Sequence, residues 1–404
     1  MRPRLLPKPP RLRRNNRELL LLTVIFSAAV AALGAAPLRV RPVWRILLAL
    51  AAFLVAGKFF VFRLLGCPNP FAPDLPRWFI LVTAWLYAVQ FFWLLGALVC
   101  APLHLVLRGI LHLSGHPLRP GWRILHNRIN LAVLAVSLLA AAAGLASGLA
   151  APRIAAAEIP IGNPDPRRAP ERFTVAVLTD LHAAPSTPVG DVKRIVERCN
   201  ALDPDLVVIL GDNVDGTVER CGEVLAPLAG LRARYGVLAV TGNHEYYSGF
   251  EPWRDFFTAH GIRLLFNEVV TLPNGVAVAG IPDPQGIRFG TAPPDLTAAA
   301  AQLPPDRRAA ILLAHRPSVA REAAKLGFDL QLSGHTHGGM VIGFDRLIAA
   351  FNGGFVSGNY QVGAMRLFVS NGAGIWDSFP IRLGRPAEIL FLSLPLPASS
   401  ARTQ

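Results

Sequence analysis

Five of the six histidines after residue 151 stand where an apolar segment ends, next to Gly, Asp or Asn residues. With their acidic and amide neighbours they form the series Asp180, His182, Asp212, Asn243, His244, His315, His335 and His337. A single Asp-x-His pair is a turn or a helix cap as often as a pair of ligands. Five histidines placed in this way therefore favour one shared site over five unrelated turns.

The residue types and their spacing indicate metal chemistry. Side chains two positions apart on extended backbone point to the same side, which is the relation of Asp180 to His182 and of His335 to His337. A glycine precedes Asp212, Asn243 and His335, which lets the backbone turn tightly and approach closely. Oxygen and imidazole donors without a thiolate suit divalent Mn, Fe or Zn, or a mixed pair.

Apolar, β-branched segments lead into these residues and must position them. They lie at 173–179, 206–210, 237–241, 276–281, 310–314 and 330–333, and we predict that each is a buried strand. Helical patterns at 189–202 and 219–235 separate some of them. The alternation predicts an α/β layered domain whose strand ends carry the chemistry.

In this order, the motifs resemble the calcineurin-like metallophosphoesterase superfamily over residues 171–394. The resemblance implies a β-sandwich flanked by helices that holds two divalent metal ions. One ion would bind Asp180, His182, Asp212 and His337. The other would bind Asp212, Asn243, His315 and His335, so that Asp212 bridges them.

The resemblance also leaves His244 free for catalysis. It would stabilise the transition state or protonate the leaving oxygen, with Asp215 orienting its imidazole. For Glu245 we predict only a solvent-facing role. The segments 370–374 and 380–384 look like a bacterial branch that includes cell-wall phosphoesterases and UDP-diacylglucosamine hydrolases.

The first 151 residues have a different composition. Apolar segments at 19–36, 46–62, 78–107 and 129–151 predict a membrane bundle of about four helices over 19–151, after a basic head at 1–18. This part holds 17 Lys and Arg residues but only two acids, whereas the rest of the chain is nearly neutral. Basicity confined to the flanks of apolar segments argues against a nucleic-acid partner and for a lipid bilayer. We predict a linker at 152–170 and a tail at 395–404.

These features together predict a multi-pass protein of the inner (plasma) membrane that hydrolyses a phosphoester or pyrophosphate bond, with an amphiphilic lipid or cell-envelope substrate. We expect the catalytic domain outside the cytoplasm, because the loop at 66–70 is poor in bases while the loops at 37–45 and 108–128 are basic. Two alternatives stay open. The same fold could act on soluble nucleotide or protein phosphoesters, or the chain could be a non-catalytic transport or scaffold protein.

Overall fold

The computed structural model describes residues 12–35, 38, 41–67, 69–115, 121–161 and 171–396. Contacts divide the chain into a helical unit, Met1–Pro70 with Trp78–Ala143, and a sheet unit, Phe71–Arg77 with Gly144–Gln404. Most of the predicted basic head, residues 162–170 of the predicted linker and nearly all of the predicted tail lie outside the described residues.

The helices of the first part of the chain follow its apolar segments. Their bounds are α1 Leu12–Ala29, which continues as a π-helical turn at Val30–Ala35, α2 Pro42–Ala56, α3 Lys58–Leu64, α4 Arg77–Leu113 and α5 Gly121–Leu149. Two stretches, Arg77–Leu113 and Ile124–Leu149, are long and apolar enough to cross a membrane. The pair α2 and α3, bent by 71°, could form a third span. The membrane bundle of about four helices remains a prediction.

Buried polar contacts join the helices within the helical unit. The Trp93 indole N–H donates to Asn130 Oδ1 at 3.0 Å, and the Asn130 amide donates to the carbonyl oxygen of Gly34 at 2.5 Å. Gly34 and Gly96 lie so close to Trp93 and Val133 that an added Cβ would collide with those side chains. Small residues and shared hydrogen bonds are how apolar helices associate when lipid offers no hydrophobic gain.

The sheet unit holds the strands. Their bounds are β1 Arg153–Glu158, β2 Glu171–Leu178, β3 Leu206–Ile209, β4 Val237–Ala239, β5 Ile262–Leu264, β6 Glu268–Thr271, β7 Val276–Gly280, β8 Ala309–Leu313, β9 Leu330–Ser333, β10 Gly358–Val362, β11 Met365–Val369 and β12 Glu388–Leu396. One sheet has the order β1-β12-β2-β3-β4-β5 and the other β10-β11-β9-β8-β7-β6. Strands β2 to β5 run parallel, as do β7, β8, β9 and β11.

Successive side chains of a strand point to opposite faces of its sheet, and this alternation produces the layers of the domain. Val175 and Val177 of β2 belong to one buried cluster with Ile311 and Leu313 of the other sheet, so the two sheets pack face to face. The intervening residues face helices instead, and these form the outer layers. The helices are α6 Val189–Asn200, α7 Val218–Leu225, α8 Asn243–Tyr247, α9 Phe250–Ala259, α10 Leu296–Ala301, α11 Ala320–Ala323 and α12 Asp345–Phe351. The predicted α/β fold is thereby confirmed.

Each predicted strand has an observed counterpart with bounds that differ by at most a few residues, but two predictions need correction. Residues 153–158, which we predicted as linker, form β1 and pair in parallel with β12. The polar and Pro-rich residues around this segment led us to predict a linker. Pairing with β12 stabilises the strand instead. The helix predicted at 219–235 ends as α7 at Leu225 and continues as a 3₁₀ turn at Ala226–Gly230, because Pro227 cannot extend an α-helix.

The strand character of this segment predicts the effect of an Ile159→Ala substitution. Ile159 directly follows β1, its side chain is fully buried between the sheets, and its N–H donates to the Ser393 carbonyl oxygen at 3.0 Å. We expect the free energy of unfolding to fall by about 2–5 kcal/mol, measured by denaturant unfolding of the full chain in detergent micelles. Ile342→Ala, at a residue that is 64% exposed, is the matched control. Equal effects would mean that residues 152–161 are a linker after all.

Candidate metal centre

The carboxyl ends of parallel strands bring the predicted site residues together. Asp180 and His182 follow β2, Asp212 follows β3, Asn243 and His244 follow β4, His315 follows β8, and His335 and His337 follow β9. Because β2, β3 and β4 run parallel in one sheet and β8 and β9 in the other, these loops meet at one end of the sandwich. The structure therefore assembles the whole predicted series in one place, while the role of each residue stays a prediction.

The backbone at these residues is unusual. Asp180, His182, Asp212, His335 and His337 all have φ between 48° and 72°, in the left-handed region. Such a conformation costs a non-glycine residue about 1–3 kcal/mol and persists only where the surroundings impose it. Because five such residues occur in one site, the contacts of their side chains must offset the conformational strain of the backbone.

The first cluster consists of Asp180, His182 and His337, all buried. The Nε2 atoms of the two histidines face each other at 3.1 Å, and Asp180 Oδ1 lies 3.5 Å from His337 Nε2. Asp180 is itself held, because its carboxylate accepts hydrogen bonds from the Thr179 hydroxyl at 2.8 Å and the His335 N–H at 3.0 Å. Two facing imidazole nitrogens and a carboxylate offer converging lone pairs, which fits a divalent cation.

The second cluster consists of Asp212, His315 and His335. His315 Nε2 lies 3.1 Å from both Asp212 Oδ2 and His335 Nδ1. His315 Nδ1 lies 2.7 Å from the Leu210 carbonyl oxygen, to which it donates, so the Nε2 lone pair is directed into the cluster. Asp212 Oδ2 also lies 4.0 Å from His182 Nε2, so this carboxylate stands between the two clusters.

The shifted pKa values of His315 and Asp212 indicate that a metal ion would compete with a proton for this cluster. Burial would lower the pKa of His315, but the Asp212 carboxylate and other acids outweigh it and raise the pKa to about 10. Burial would raise the pKa of Asp212, but His315 and His244 hold it well below its usual range. Without metal, the pair is thus an ion pair that holds a proton. A cation with this donor set replaces that proton, so its binding weakens as the pH falls.

His244 and Asp215 form a hydrogen-bonded pair next to the two clusters. Asp215 Oδ1 lies 2.5 Å from His244 Nδ1 and 3.1 Å from His182 Nδ1. Burial opposes the charged form of His244, but Asp212 and Asp215 raise its pKa to about 9. A histidine that donates through Nδ1 to a carboxylate presents Nε2–H as a proton donor when protonated. The contact agrees with the orienting role predicted for Asp215.

The prediction for Glu245 is wrong. Its side chain is buried, and its carboxylate accepts hydrogen bonds from the backbone N–H groups of Gly242 at 2.8 Å, Asp212 at 3.0 Å and Asn213 at 2.7 Å. The Asn213 side-chain amide adds a fourth bond at 3.0 Å. Glu245 therefore ties the loop after β3 to the loop after β4. Gly242 is only three positions away, but Asp212 and Asn213 lie 33 and 32 positions away along the chain, which a local sequence pattern cannot reveal.

Two further arginines near the centre were missed. Arg316 pairs with the buried Asp283, and Arg382 is buried and donates to the carbonyl oxygens of Asn371 at 2.7 Å and Gly374 at 2.9 Å. Arg382 Nη2 also lies 3.4 Å from His337 Nδ1. A signal for the first pair was available, because Asp283 follows β7 in the same way that the predicted ligands follow their strands.

The contacts of Glu245 predict two measurable effects of a Glu245→Ala substitution. Three buried backbone N–H groups lose their acceptor, so we expect unfolding of the full chain to require about 1–3 kcal/mol less free energy. We also expect weaker metal binding, because Asp212 loses its backbone anchor. Glu251→Ala, at an exposed glutamate, is the control in both measurements. Unchanged stability and metal affinity would restore the solvent-facing interpretation.

Comparisons with known proteins agree with this geometry. Residues 173–339 match the family model of the calcineurin-like phosphoesterases. An uncharacterized metallophosphoesterase of Campylobacter jejuni is 31% identical over 273 residues, covering 67% of this chain and 71% of that protein. One from Helicobacter pylori J99 is 34% identical over 260 residues, covering 64% and 68%. A Bos taurus transmembrane protein with a metallophosphoesterase domain is 32% identical over 283 residues, covering 66% and 62%. The chain therefore belongs to the calcineurin-like metallophosphoesterases and is a metal-dependent phosphoester hydrolase.

Proposed function

We propose that the chain is a membrane-anchored phosphohydrolase with two divalent metal ions, and that its substrate is amphiphilic. The observation that carries the two-ion proposal is the position of Asp212, whose Oδ2 lies within 4.0 Å of ring nitrogens from both clusters. Asp180, His182, Asp212 and His337 would hold one ion. Asp212, Asn243, His315 and His335 would hold the other. When bound, such a pair supplies Lewis acidity toward phosphoryl oxygens and an acidified water as nucleophile.

The protein's own side chains divide the remaining work. His244 is 18% exposed at its side chain, so it can reach a bound substrate and protonate the leaving oxygen through Nε2. Asp215 keeps the ring in the orientation that this proton transfer needs. Glu245 fixes the backbone from which Asp212 projects. The leaving group thus departs as a neutral alcohol, or as a phosphate with one negative charge fewer, rather than as a stronger base.

The division between ligands and acid predicts two classes of variant. Asp212→Asn or His335→Ala should abolish hydrolysis and lower bound metal, because both residues are proposed ligands. His244→Asn should retain metal and lose about 10²- to 10⁴-fold in turnover, the usual contribution of a general acid. Metal content and hydrolysis of an alkyl phosphodiester such as glycerophosphocholine are measured on the same full-length preparations, because an alkoxide leaving group needs the proton that His244 would supply. His260→Asn, outside the site, is the control. A His244 variant within roughly threefold of wild type would remove His244 from the mechanism.

Two observations support an amphiphilic substrate. The candidate span in α5 ends at Leu149 and β1 begins at Arg153, so only residues 150–152 connect them. A connection this short keeps the sheet unit within a few ångströms to tens of ångströms of the bilayer. Tyr247 and Phe289 are each 53% exposed, and the Tyr247 ring lies 5.3 Å from the ring of His244. An exposed apolar surface beside the proton donor suits the apolar part of a leaving group.

Surface dilution tests the amphiphile proposal on the full chain. Phosphatidic acid or a long-chain prenyl pyrophosphate is diluted with phosphatidylcholine in vesicles at constant bulk concentration, with bis(p-nitrophenyl) phosphate as the soluble substrate. We expect the rate on the lipid to fall in proportion to its surface fraction, because a tethered site samples the bilayer. The rate on the soluble diester should not change. Fast hydrolysis of a nucleotide such as ADP without any lipid cleavage would favour the soluble-nucleotide alternative.

We further propose that the metal centre faces away from the cytoplasm. The segment Phe71–Arg77, which precedes α4, is part of the sheet unit: Arg77 pairs with Asp191 at 3.1 Å, and the Ser378 hydroxyl donates to the Phe71 carbonyl oxygen at 2.8 Å. The residues directly before α4 thus belong to the same unit as the centre, which supports a position of the preceding base-poor loop on the same side of the membrane. Positive loops stay preferentially in the cytoplasm, which supports an extracytoplasmic position for this loop.

Reporter fusions after Gln404 test this orientation. We expect an exported reporter such as alkaline phosphatase to be active there and a cytoplasm-only fluorescent reporter to be dark. The same fusions placed between the end of α4 at Leu113 and the start of α5 at Gly121 should give the opposite pattern, which controls for expression. A bright cytoplasmic reporter after Gln404 would reverse the proposed orientation.

A further inference from the structure

Arg316 follows the proposed ligand His315 and is held by a carboxylate that no proposed ligand shares. Its Nε donates to Asp283 Oδ2 at 2.6 Å and its Nη2 donates to Asp283 Oδ1 at 3.2 Å. This is the side-on, two-point pairing that a planar guanidinium forms with a carboxylate. The pair fixes both the position of the guanidinium and the direction of its plane.

Asp283 is in turn fixed by its surroundings. Its side chain is fully buried, its Oδ1 accepts a hydrogen bond from the Gln285 N–H at 2.7 Å, and its own N–H donates to the Thr241 hydroxyl at 3.2 Å. A carboxylate held in this way cannot follow a moving partner. Arg316 is therefore preorganised, and little side-chain entropy remains to be lost when it binds a ligand.

A guanidinium has five N–H donors, and in Arg316 the Asp283 carboxylate occupies only the edge formed by Nε and Nη2. Among the described residues, Nη1 of Arg316 has no hydrogen-bond partner, and Nη2 has one further contact, 3.4 Å from Asn243 Oδ1. That contact places the Nη1–Nη2 edge beside a proposed ligand of the second ion. The side chain is 30% exposed, so the edge can be reached from solvent.

We propose that the Nη1–Nη2 edge of Arg316 binds a second anionic group of the substrate, next to the phosphoester that is cleaved. This inference rests on the proposed function and narrows its substrate class. The group would be a second phosphoryl group or a carboxylate a few bonds from the scissile phosphorus, since both offer two oxygens to a two-donor edge. Asp283 balances the charge of the guanidinium when no substrate is bound, so selectivity comes from geometry rather than from excess charge.

The alternative is that Arg316 only neutralises the buried Asp283. The two accounts differ in which ligands the residue affects. A neutralising arginine changes the binding of all anions at the centre to a similar extent. An anion-binding edge discriminates between a ligand with one phosphoryl group and a ligand with two.

Calorimetric titration of the full-length, manganese-loaded protein in detergent micelles separates the accounts. The probes are inorganic phosphate and methylenediphosphonate, and the variants are Arg316→Gln, Arg316→Lys and, as control, Arg254→Gln. Arg254 is an exposed arginine that also pairs with acids, Glu251 and Asp255. In Arg316→Gln, we expect Kd for the diphosphonate to rise at least about tenfold more than Kd for phosphate, because hydrogen bonds to a charged group are lost.

The outcome does not depend on turnover. Arg316→Lys keeps the charge but cannot hold Asp283 and an anion with the same planar group, so it should lose most of the discrimination while remaining folded. Equal rises in the two dissociation constants, or no rise in either, would overturn the proposal. A failure of the proposed function would look different, since a wild-type protein could bind both probes and yet hydrolyse no phosphoester.

Discussion

The structure of the site depends on one buried carboxylate, that of Asp212. Its Oδ1 accepts a hydrogen bond from the His244 N–H at 2.8 Å, and its Oδ2 lies 3.1 Å from His315 Nε2. A buried charge is tolerated only when it is paired and hydrogen-bonded, so these contacts must all be present together. Gly242 makes the approach possible, since an added Cβ would lie 2.2 Å from Asp212 Oδ1. The end of β4 is thereby bound to the end of β3.

Around this carboxylate, the sandwich supplies the rigidity that the strained backbone of the proposed ligand residues needs. The strands that end at the site are buried, apart from the first two residues of β2, and their parallel pairing sets the spacing between loops. Left-handed φ values at Asp180 and His182 would relax in a flexible loop. They persist here because backbone hydrogen bonds hold the segment, such as those from the Asp180 N–H to Gly211 and from the His182 N–H to Asp212.

The α/β fold and the convergence of the predicted site residues could be predicted from the sequence, because apolar segments that end in polar motifs have few interpretations in a layered domain. It did not reveal β1, whose partner β12 lies at the far end of the chain. Glu245 was wrongly predicted to face solvent for a related reason, because the backbone N–H groups of Asp212 and Asn213 reach it only in the folded chain. Asp283 follows a strand as the predicted ligands do, but its partner Arg316 lies 33 positions away. A local sequence pattern predicts which strand end or loop carries a side chain, but not which distant residues that side chain contacts.

The central claim is that the two clusters, which the Asp212 carboxylate would bridge, hold two divalent ions and that hydrolysis depends on both. The most direct measurement titrates chelator-treated, full-length protein with Mn²⁺ and follows bound metal by mass spectrometry alongside hydrolysis of bis(p-nitrophenyl) phosphate. We expect saturation at about two ions per chain, with activity that appears as the second ion binds. Full activity in the metal-free protein, or saturation at a single ion with full activity, would contradict the account.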